Sequence, residues 1–349
     1  MERRKSRKIK LGNLFIGGDA PISVQSMTNT NTSDIDATVK QIDELTVAGC
    51  EIVRIAVPDM KAAEAVTEIC NQSTVPIIAD IHFDYRLALK SIESNVAGIR
   101  LNPGNIGSEE RARSVIKAAK ERDIPIRIGV NAGSVSKALL KKHGGATVEA
   151  MVESALEHIA IVERENYHNI KLSLKASDIY RTVEAYRAIT KHVDYPLHIG
   201  VSEAGTYFSG TIKSSIGLGI LLYEGIGDTL RVSLTGNPLE EVRVAYEILK
   251  SLGIRQRGIN YISCPTCGRC EINLVEMANK VEQATAKLDK KITVAIMGCV
   301  VNGPGEAREA NLGIAGGDGV GLIFKDGEVL RKVKEEEMVQ ALLDEIENY

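Results

Sequence analysis

Four of the six cysteines in this 349-residue chain fall between positions 264 and 299. Ser263-Cys-Pro-Thr-Cys-Gly-Arg-Cys270 spaces thiols at i, i+3 and i+6, and Cys299 adds a fourth just ahead of Asn302-Gly-Pro-Gly-Glu306. Pro265 and Gly268 favour a turn that lets thiolates converge, and Gly303-Pro304-Gly305 permits a tight, closely approaching loop. Three chemistries compete for this spacing. A structural zinc site would use four cysteines. A Cys264-x-x-Cys267 dithiol would leave Cys299 idle and expects a strand–helix redox fold. An iron–sulfur cluster takes thiolates at CxxC spacing plus a distant cysteine. Clustered cysteines without a secretory signal favour metal or redox chemistry over structural disulfides. Cys50 and Cys70 stand alone and read as small core residues.

A second set of residues is charged and recurs at the ends of short apolar runs. Arg54, Asp80 with His82, and Arg100 end three such runs in succession. Arg127 and Asn131 bracket the end of the next, and Lys171 and Lys175 lie on and just after another. His198 and Glu203, then Arg231 and Ser233, complete the series. Unpaired burial would cost several kcal/mol per ion, and a polyanionic ligand would remove that cost. Arginine suits the task because its planar fork binds phosphate bidentately. With Lys175 the set carries charge enough for two phosphates, while Ser233 and the turn Asn131-Ala-Gly-Ser134 add neutral donors. Glu203, an acid in a basic surround, is the candidate proton donor or base.

The elements that would position these groups alternate with regularity. Strand-like runs are expected at Pro21–Ser26, Glu51–Ile55, Pro76–Asp80, Ala97–Leu101, Pro125–Val130, Asn169–Leu174, Pro196–Gly200 and Thr229–Ser233. A helical pattern follows each, from Asp34–Ala48 to Pro238–Ser251, with a looser one near Thr211–Leu222. Ser33-Asp34, Ser108-Glu109 and Ser177-Asp178 read as helix starts. Eight such units within about 230 residues have the count and length of a TIM (β/α)8 barrel, whose active site lies at the C-terminal ends of its strands. The charged set would then converge on one mouth. The rhythm stops near Ser251–Gly258. The expected division is a substrate-binding barrel over 1–255 and a smaller α+β cluster domain over 256–349. Within the latter, Gly313-Ile-Ala-Gly-Gly-Asp-Gly-Val-Gly321 reads as a turn between strands, since it lacks the Walker lysine pattern.

Composition narrows the function. Hydrophobic residues make up 44% and charged residues 26%, an ordinary globular balance. The net charge of −3 gives no global pull toward nucleic acid or membrane. Six basic residues within the first ten suggest a solvated, partly disordered arm; no apolar run follows them as a signal peptide would require. No stretch approaches the roughly 18 apolar residues of a membrane span. A soluble, cytoplasmic protein is expected. A nucleic-acid-binding iron–sulfur or zinc protein is the alternative from another class, but 4% aromatic residues and no tryptophan offer few stacking platforms. A zinc-stabilised phosphosugar-binding barrel is a further alternative.

Cys264-Pro-Thr-Cys267, Gly298-Cys-Val-Val-Asn-Gly-Pro-Gly-Glu306, Val24-Gln-Ser-Met-Thr-Asn29, Arg100-Leu-Asn-Pro-Gly-Asn-Ile-Gly107 and Arg127-Ile-Gly-Val-Asn-Ala-Gly-Ser134 together resemble the bacterial 4-hydroxy-3-methylbut-2-en-1-yl diphosphate synthases of the non-mevalonate isoprenoid pathway. The resemblance spans Pro21 to Gly321. It implies a [4Fe–4S] cluster on Cys264, Cys267, Cys299 and Glu306; spacing alone would have chosen Cys270 as the fourth ligand. A carboxylate is harder and more easily displaced than a thiolate, leaving one iron open as a Lewis acid. The implied substrate is 2-C-methyl-D-erythritol 2,4-cyclodiphosphate, reduced by two electrons from ferredoxin or flavodoxin. The resemblance also implies a head-to-tail homodimer. The linker would leave the barrel at its bottom, so a cluster reaching the mouth would come from the partner chain.

Overall fold

The computed structural model describes residues 2–299, 305 and 309–349. They form two compact units, one ending at Leu252 and the other beginning at Gly253.

In the first unit, strands and helices alternate as β3 (Ser23–Met27), α1 (Ile35–Val47), β4 (Ile52–Ala56), α2 (Met60–Gln72), β5 (Ile77–Asp80), α3 (Tyr85–Glu93), β6 (Gly98–Arg100) and α4 (Glu109–Glu121). They continue as β7 (Ile126–Asn131), α5 (Lys137–His143), α6 (Val148–Arg164), β8 (Ile170–Lys175), α7 (Ile179–Ile189), β9 (His198–Ile199), α8 (Tyr207–Tyr223), β10 (Thr229–Leu230) and α9 (Pro238–Ser251). Each strand from β3 to β8 pairs in parallel with the next, and β10 pairs with both β9 and β3. The ring closes where Leu172 bridges Leu197 and its N–H donates to Pro196 O at 2.9 Å. This is a parallel eight-stranded barrel with its helices outside.

The helix starts follow from side-chain capping. Asp34, Ser108 and Asp178 accept from the backbone N–H groups of Ala37, Arg111 and Arg181, satisfying donors that a helix leaves orphaned at its first turn. Helix α8 starts earlier than its sequence suggests, at Tyr207. Glycines within it trade helix propensity for close packing. A Cβ on Gly210 would sit 2.6 Å from Leu234, and one on Gly217 would sit 2.9 Å from Val201. Both neighbours belong to loops that follow β9 and β10 at the strand ends. Strands β9 and β10 are only two residues long, shorter than expected, because the chain there bends away to form those loops.

The basic N-terminus is ordered, not a solvated arm. Arg3 donates to Ala20 O at 2.6 Å and pairs with the buried Asp228 at 3.2 Å. Ser6 Oγ donates to the same carboxylate at 2.7 Å, and Arg7 pairs with Asp194 at 2.6 Å. The chain then makes an antiparallel hairpin, β1 (Ile9–Leu11) and β2 (Leu14–Ile16). Its Ile9, Leu11 and Ile16 pack on Ile52 and Ile78, near the start of β4 and β5, and so stop the bottom of the barrel. Charge patterning missed this because the acids that receive Arg3 and Arg7, Asp228 and Asp194, lie far along the chain.

The second unit carries β11 (Asn260–Ser263), α10 (Leu274–Thr285), β12 (Thr293–Met297), β13 (Leu312–Gly317), β14 (Val320–Lys325), β15 (Glu328–Lys334) and α11 (Met338–Asn348). The strands form one mixed sheet in chain order, parallel from β11 to β13 and antiparallel thereafter. Leu274, Met277 and Val281 of α10 share a core with Met338, Leu342 and Ile346 of α11 and with the sheet. The glycine-rich stretch is a hairpin turn between β13 and β14, with Gly319 at φ +66°. Strand β15, rich in exposed charge, was not anticipated because it alternates weakly. Among the described residues, no helix is long and apolar enough to cross a membrane.

Leu11 is 1% exposed, and its Cδ1 would lie 2.9 Å from a Cβ on Gly98. Leu11→Ala is expected to lower unfolding stability by about 2–4 kcal/mol, measured by chemical denaturation.

Candidate functional site

The strand ends of the barrel enclose a cavity of about 380 Å³. It is lined by Arg54, Asp80, His82, Arg100, Arg127, Asn131, Lys175, Glu203, Arg231 and Ser233, with Ser202, Leu234, Thr235 and Glu241 among the rest of the wall. The charged residues of the strands converge because each sits at a position whose side chain faces the interior, as alternate side chains of a strand do. A typical barrel fills that interior with branched apolar residues. Here Arg54, Asp80, Arg100, Arg127 and Arg231 take those places, and Lys171, Ser173 and Lys175 do so along β8 alone.

Asp80 ends β5 and is 6% exposed. Arg100 Nη1 lies 3.4 Å from its Oδ1, Arg54 Nε 3.8 Å from its Oδ2, and His82 Nε2 3.4 Å from Oδ2. Burial pushes the Asp80 carboxyl up, but Arg54, His82 and Arg100 together outweigh it and hold the group well below the usual carboxylate range. Arg54 is lowered to about 10, chiefly by burial, against the pull of Asp80. Arg231 is gripped bidentately by Glu241, at 3.0 and 3.1 Å. Glu241 also accepts from Ser26 Oγ at 2.8 Å and from Leu234 N–H at 3.1 Å. The thioether of Met27 sits 3.1 Å from Arg54 Nε and 3.7 Å from Arg231 Nη1.

Arg127 and Lys175 are different. Both are buried, and among the described residues neither has a carboxylate within 4 Å. Arg127 makes contacts of 3.3 and 3.2 Å with Ser173 Oγ and leaves Nη1 unpartnered. Burial first, then the neighbouring cations, push both groups well below their ordinary values. Space for Lys175 and Arg100 is cut by glycine. A Cβ on Gly200 would stand 2.5 Å from Lys175 Nζ and 2.6 Å from Arg231 O, and one on Gly129 would stand 2.7 Å from Arg100 Nε. Both glycines lie in the same tripeptide, Ile128-Gly-Val130 and Ile199-Gly-Val201. Asn102 exchanges two 2.9 Å hydrogen bonds with the Gly129 backbone and fixes it.

Glu203 reaches the cavity from the loop after β9, in an exposed position and with φ +53°. The other non-glycine residues with positive φ are Asn or Asp, which tolerate that region; glutamate does so less readily. His198 and Lys171 are the exceptions among the sequence-selected residues. Lys171 is buried on β8 below the cavity wall. His198 does not line the cavity either: it is fully buried beneath it, with Nδ1 2.9 Å from Thr229 Oγ1. Lying inside a strand, it points into the barrel below the strand ends. Sequence reading missed Glu241 and Met27. Glu241 falls on the apolar stripe of α9 with Ala245 and Ile248, and an acid on such a stripe is the signal that could have found it.

In the second unit, β11 and β12 run parallel with Ser263 opposite Ile296, so Cys264 and Cys299 emerge at the same edge. Gly298 N–H donates to Cys264 Sγ at 3.3 Å. Cys267 is exposed and Cys299 buried. Cys270 Sγ donates to Ile272 O at 3.3 Å and packs against the core, a contact that turns it inward. No three His, Cys, Asp or Glu residues form a metal-holding group among the described residues; Glu306 lies outside them. Soft sulfur donors at adjacent strand ends and a backbone N–H aimed at a sulfur fit an iron–sulfur group.

Comparison with known proteins places both units. Residues 6–246 match the model of the GcpE TIM-barrel domain, and residues 260–348 that of the GcpE protein C-terminal domain. A protein of Geobacter sulfurreducens named 4-hydroxy-3-methylbut-2-en-1-yl diphosphate synthase (flavodoxin) is 63% identical over 99% of this chain and 98% of its own. One of Clostridium perfringens with the same name is 58% identical over 99% of each. Among solved structures, dihydropteroate synthase from Stenotrophomonas maltophilia aligns with a TM-score of 0.53 at 12% identity, covering 71% of this chain and 97% of that one; at that identity the likeness concerns the barrel fold alone. With both units matched and relatives similar end to end, the chain belongs to the GcpE family.

Proposed function

We propose that this chain catalyses the reaction for which its relatives are named, forming 4-hydroxy-3-methylbut-2-en-1-yl diphosphate by reductive ring opening and dehydroxylation of 2-C-methyl-D-erythritol 2,4-cyclodiphosphate. The observation that carries the reading is the cavity lined by Arg54, Arg100, Arg127, Arg231 and Lys175, in which the buried guanidinium of Arg127 has no carboxylate within 4 Å among the described residues. A diphosphate supplies the missing negative charge. Arg54, Arg100, Arg127, Lys175 and Arg231 hold it, and Ser233 and Asn131 complete the shell as neutral donors. The arginines that Asp80 and Glu241 already orient need no reorganisation on binding, which is the condition for electrostatic preorganisation. Holding both phosphates fixes the carbon skeleton at the mouth. Asp80 and His82 lie beside Arg100 at the same wall.

The reaction consumes two electrons and protons, opens the cyclic diphosphate at a carbon–oxygen bond and releases a hydroxyl as water. Glu203 stands at the rim to deliver a proton to that hydroxyl. Cys264, Cys267, Cys299 and Glu306 would hold a [4Fe–4S] cluster. When bound, the cluster supplies the electrons singly, received from a flavodoxin-class or ferredoxin-class donor. The inward-turned thiol of Cys270 supports Glu306 over Cys270 as the fourth ligand.

A homodimer fits two features of the barrel. Helix α9 runs back from the mouth, so the chain leaves the barrel at its floor. Helix α8 exposes Phe208, Ile212, Ile216 and Ile220 at every fourth position, with Lys213 its single charge. An apolar stripe of this kind marks an association surface.

Three outcomes are expected. Anaerobically purified protein is brown with about four iron and four sulfide per chain; Glu306→Ala loses or alters the cluster spectrum and Cys270→Ser does not. A colourless protein holding one zinc would sink the reading. Gly200→Ala, which sets a methyl group against both Lys175 Nζ and the Arg231 carbonyl, raises the substrate KM at least about tenfold, the effect of roughly 1.4 kcal/mol, and, because that carbonyl is backbone, also lowers the melting temperature. Finally, Arg127→Ala and Cys299→Ala chains, each inactive alone, regain activity when mixed if one chain's cluster serves its partner's barrel. Folded mixed dimers without activity would rule out that arrangement.

A further inference from the structure

A second polar layer lies beneath the cavity, and binding a diphosphate does not by itself use it. Lys171 is 1% exposed and precedes Lys175 by four residues on β8, so both face the barrel interior. Its Nζ has no hydrogen-bond partner, and among the described residues no carboxylate lies within 4 Å of it. His198 Nε2, Arg127 Nη1 and both amide atoms of the buried Gln25 are likewise unpartnered. The charged and titratable groups around this layer come from every side of the barrel. They are Arg54 of β4, Asp80 of β5, Arg100 of β6, Arg127 of β7, Lys175 of β8, His198 of β9, Arg231 just after β10, Glu241 of α9, Tyr186 of α7 and Asp228 at the floor. Asp228 is already held by Arg3, Ser6 and the Leu197 N–H. Tyr186 donates its hydroxyl to His198 O at 2.6 Å.

Cations outnumber carboxylates here, and the arginines cannot relieve the repulsion, because guanidinium does not shed its proton in proteins. Lysine can. Burial first, and Arg127 next, push both Lys171 and Lys175 well below the ordinary lysine range. His198 is pushed well down by burial and the same cations. We propose that the free barrel keeps Lys171 and Lys175 uncharged and that seating a diphosphate draws protons onto them, so that substrate capture is proton-linked. Lys175 meets the anion at the cavity wall. Lys171 answers it from one layer below, as a positioning residue that adds charge without touching the ligand. This rests on the reading that the cavity takes a diphosphate.

The test is calorimetric titration of 2-C-methyl-D-erythritol 2,4-cyclodiphosphate into the cluster-loaded protein, without reductant, in buffers of different ionisation enthalpy near pH 8. Each phosphate of the cyclic ligand keeps a single strongly acidic hydroxyl, so the ligand brings no titrating proton of its own. Net proton uptake is expected, smaller by about one proton in Lys171→Met. Binding without uptake, or equal uptake in the variant, overturns the inference and leaves the substrate reading standing. No binding at all overturns both. A second readout needs no ligand. A lysine depressed in the folded state takes its proton in the unfolded state first, so it destabilises the fold progressively as pH falls below the ordinary value of 10.5. Lys171→Met should therefore melt higher than the parent, by a margin that widens from pH 9 to pH 6. A margin that is absent, reversed or independent of pH contradicts the uncharged state.

Discussion

A guanidinium or ammonium group taken out of water costs several kcal/mol unless something replaces its hydration. This barrel buries Arg100, Arg127, Lys171 and Lys175 in one interior and sets few acids against them. Much of the local structure answers that constraint. Asp80 stands between Arg54, Arg100 and His82, each within 3.8 Å. Glu241, from a helix on the outside of the barrel, reaches in to clamp Arg231. Ser173 and Met27 contribute uncharged contacts where no carboxylate is available. What remains uncompensated faces the cavity or lies directly under it.

Charge of this kind also needs room. A barrel of eight strands has an interior just wide enough to be filled by its own side chains. Two long cationic side chains fit because Gly129 and Gly200 leave out the carbons that would meet them. The same economy shapes the outer layer, where Gly210 and Gly217 let α8 settle against the loops after β9 and β10. Those loops carry Glu203 and Ser233. The glycines thus act on opposite sides of the strands, one pair admitting the cations and the other positioning the loops above them.

Much of this was legible in the sequence. The alternation of apolar runs and helical patterns specified the barrel because each strand is short and mostly buried, and most are followed by a helix with a side-chain cap. The cavity wall was legible for a related reason: Arg54, Arg100, Arg127 and Arg231 interrupt apolar runs, where a charge has no business unless it serves a site. His198 interrupts a run in the same way, and nothing in its pattern separates a residue at the strand end from one a layer lower; that depends on register between β9 and β10. Glu241 was hidden because it arrives from a helix, and Met27 because a thioether reads as core. The N-terminal hairpin was hidden by its own cations, which look like a solvated arm until Asp194 and Asp228 receive them. The convergence of Cys264 and Cys299 follows from the parallel pairing of β11 and β12, which spacing along the chain does not reveal.

That hairpin has a kinetic meaning. With Leu11 and Ile16 seated against the first residues of the strands, the barrel is a vessel with a stopper at one end. Water displaced by an arriving ligand has to leave past that ligand, through the opening it came in by. Traffic is single-file, and departure retraces arrival. A molecule that fills the opening therefore encloses whatever lies deeper, the buried lysine included, and isolates it from solvent until that molecule leaves.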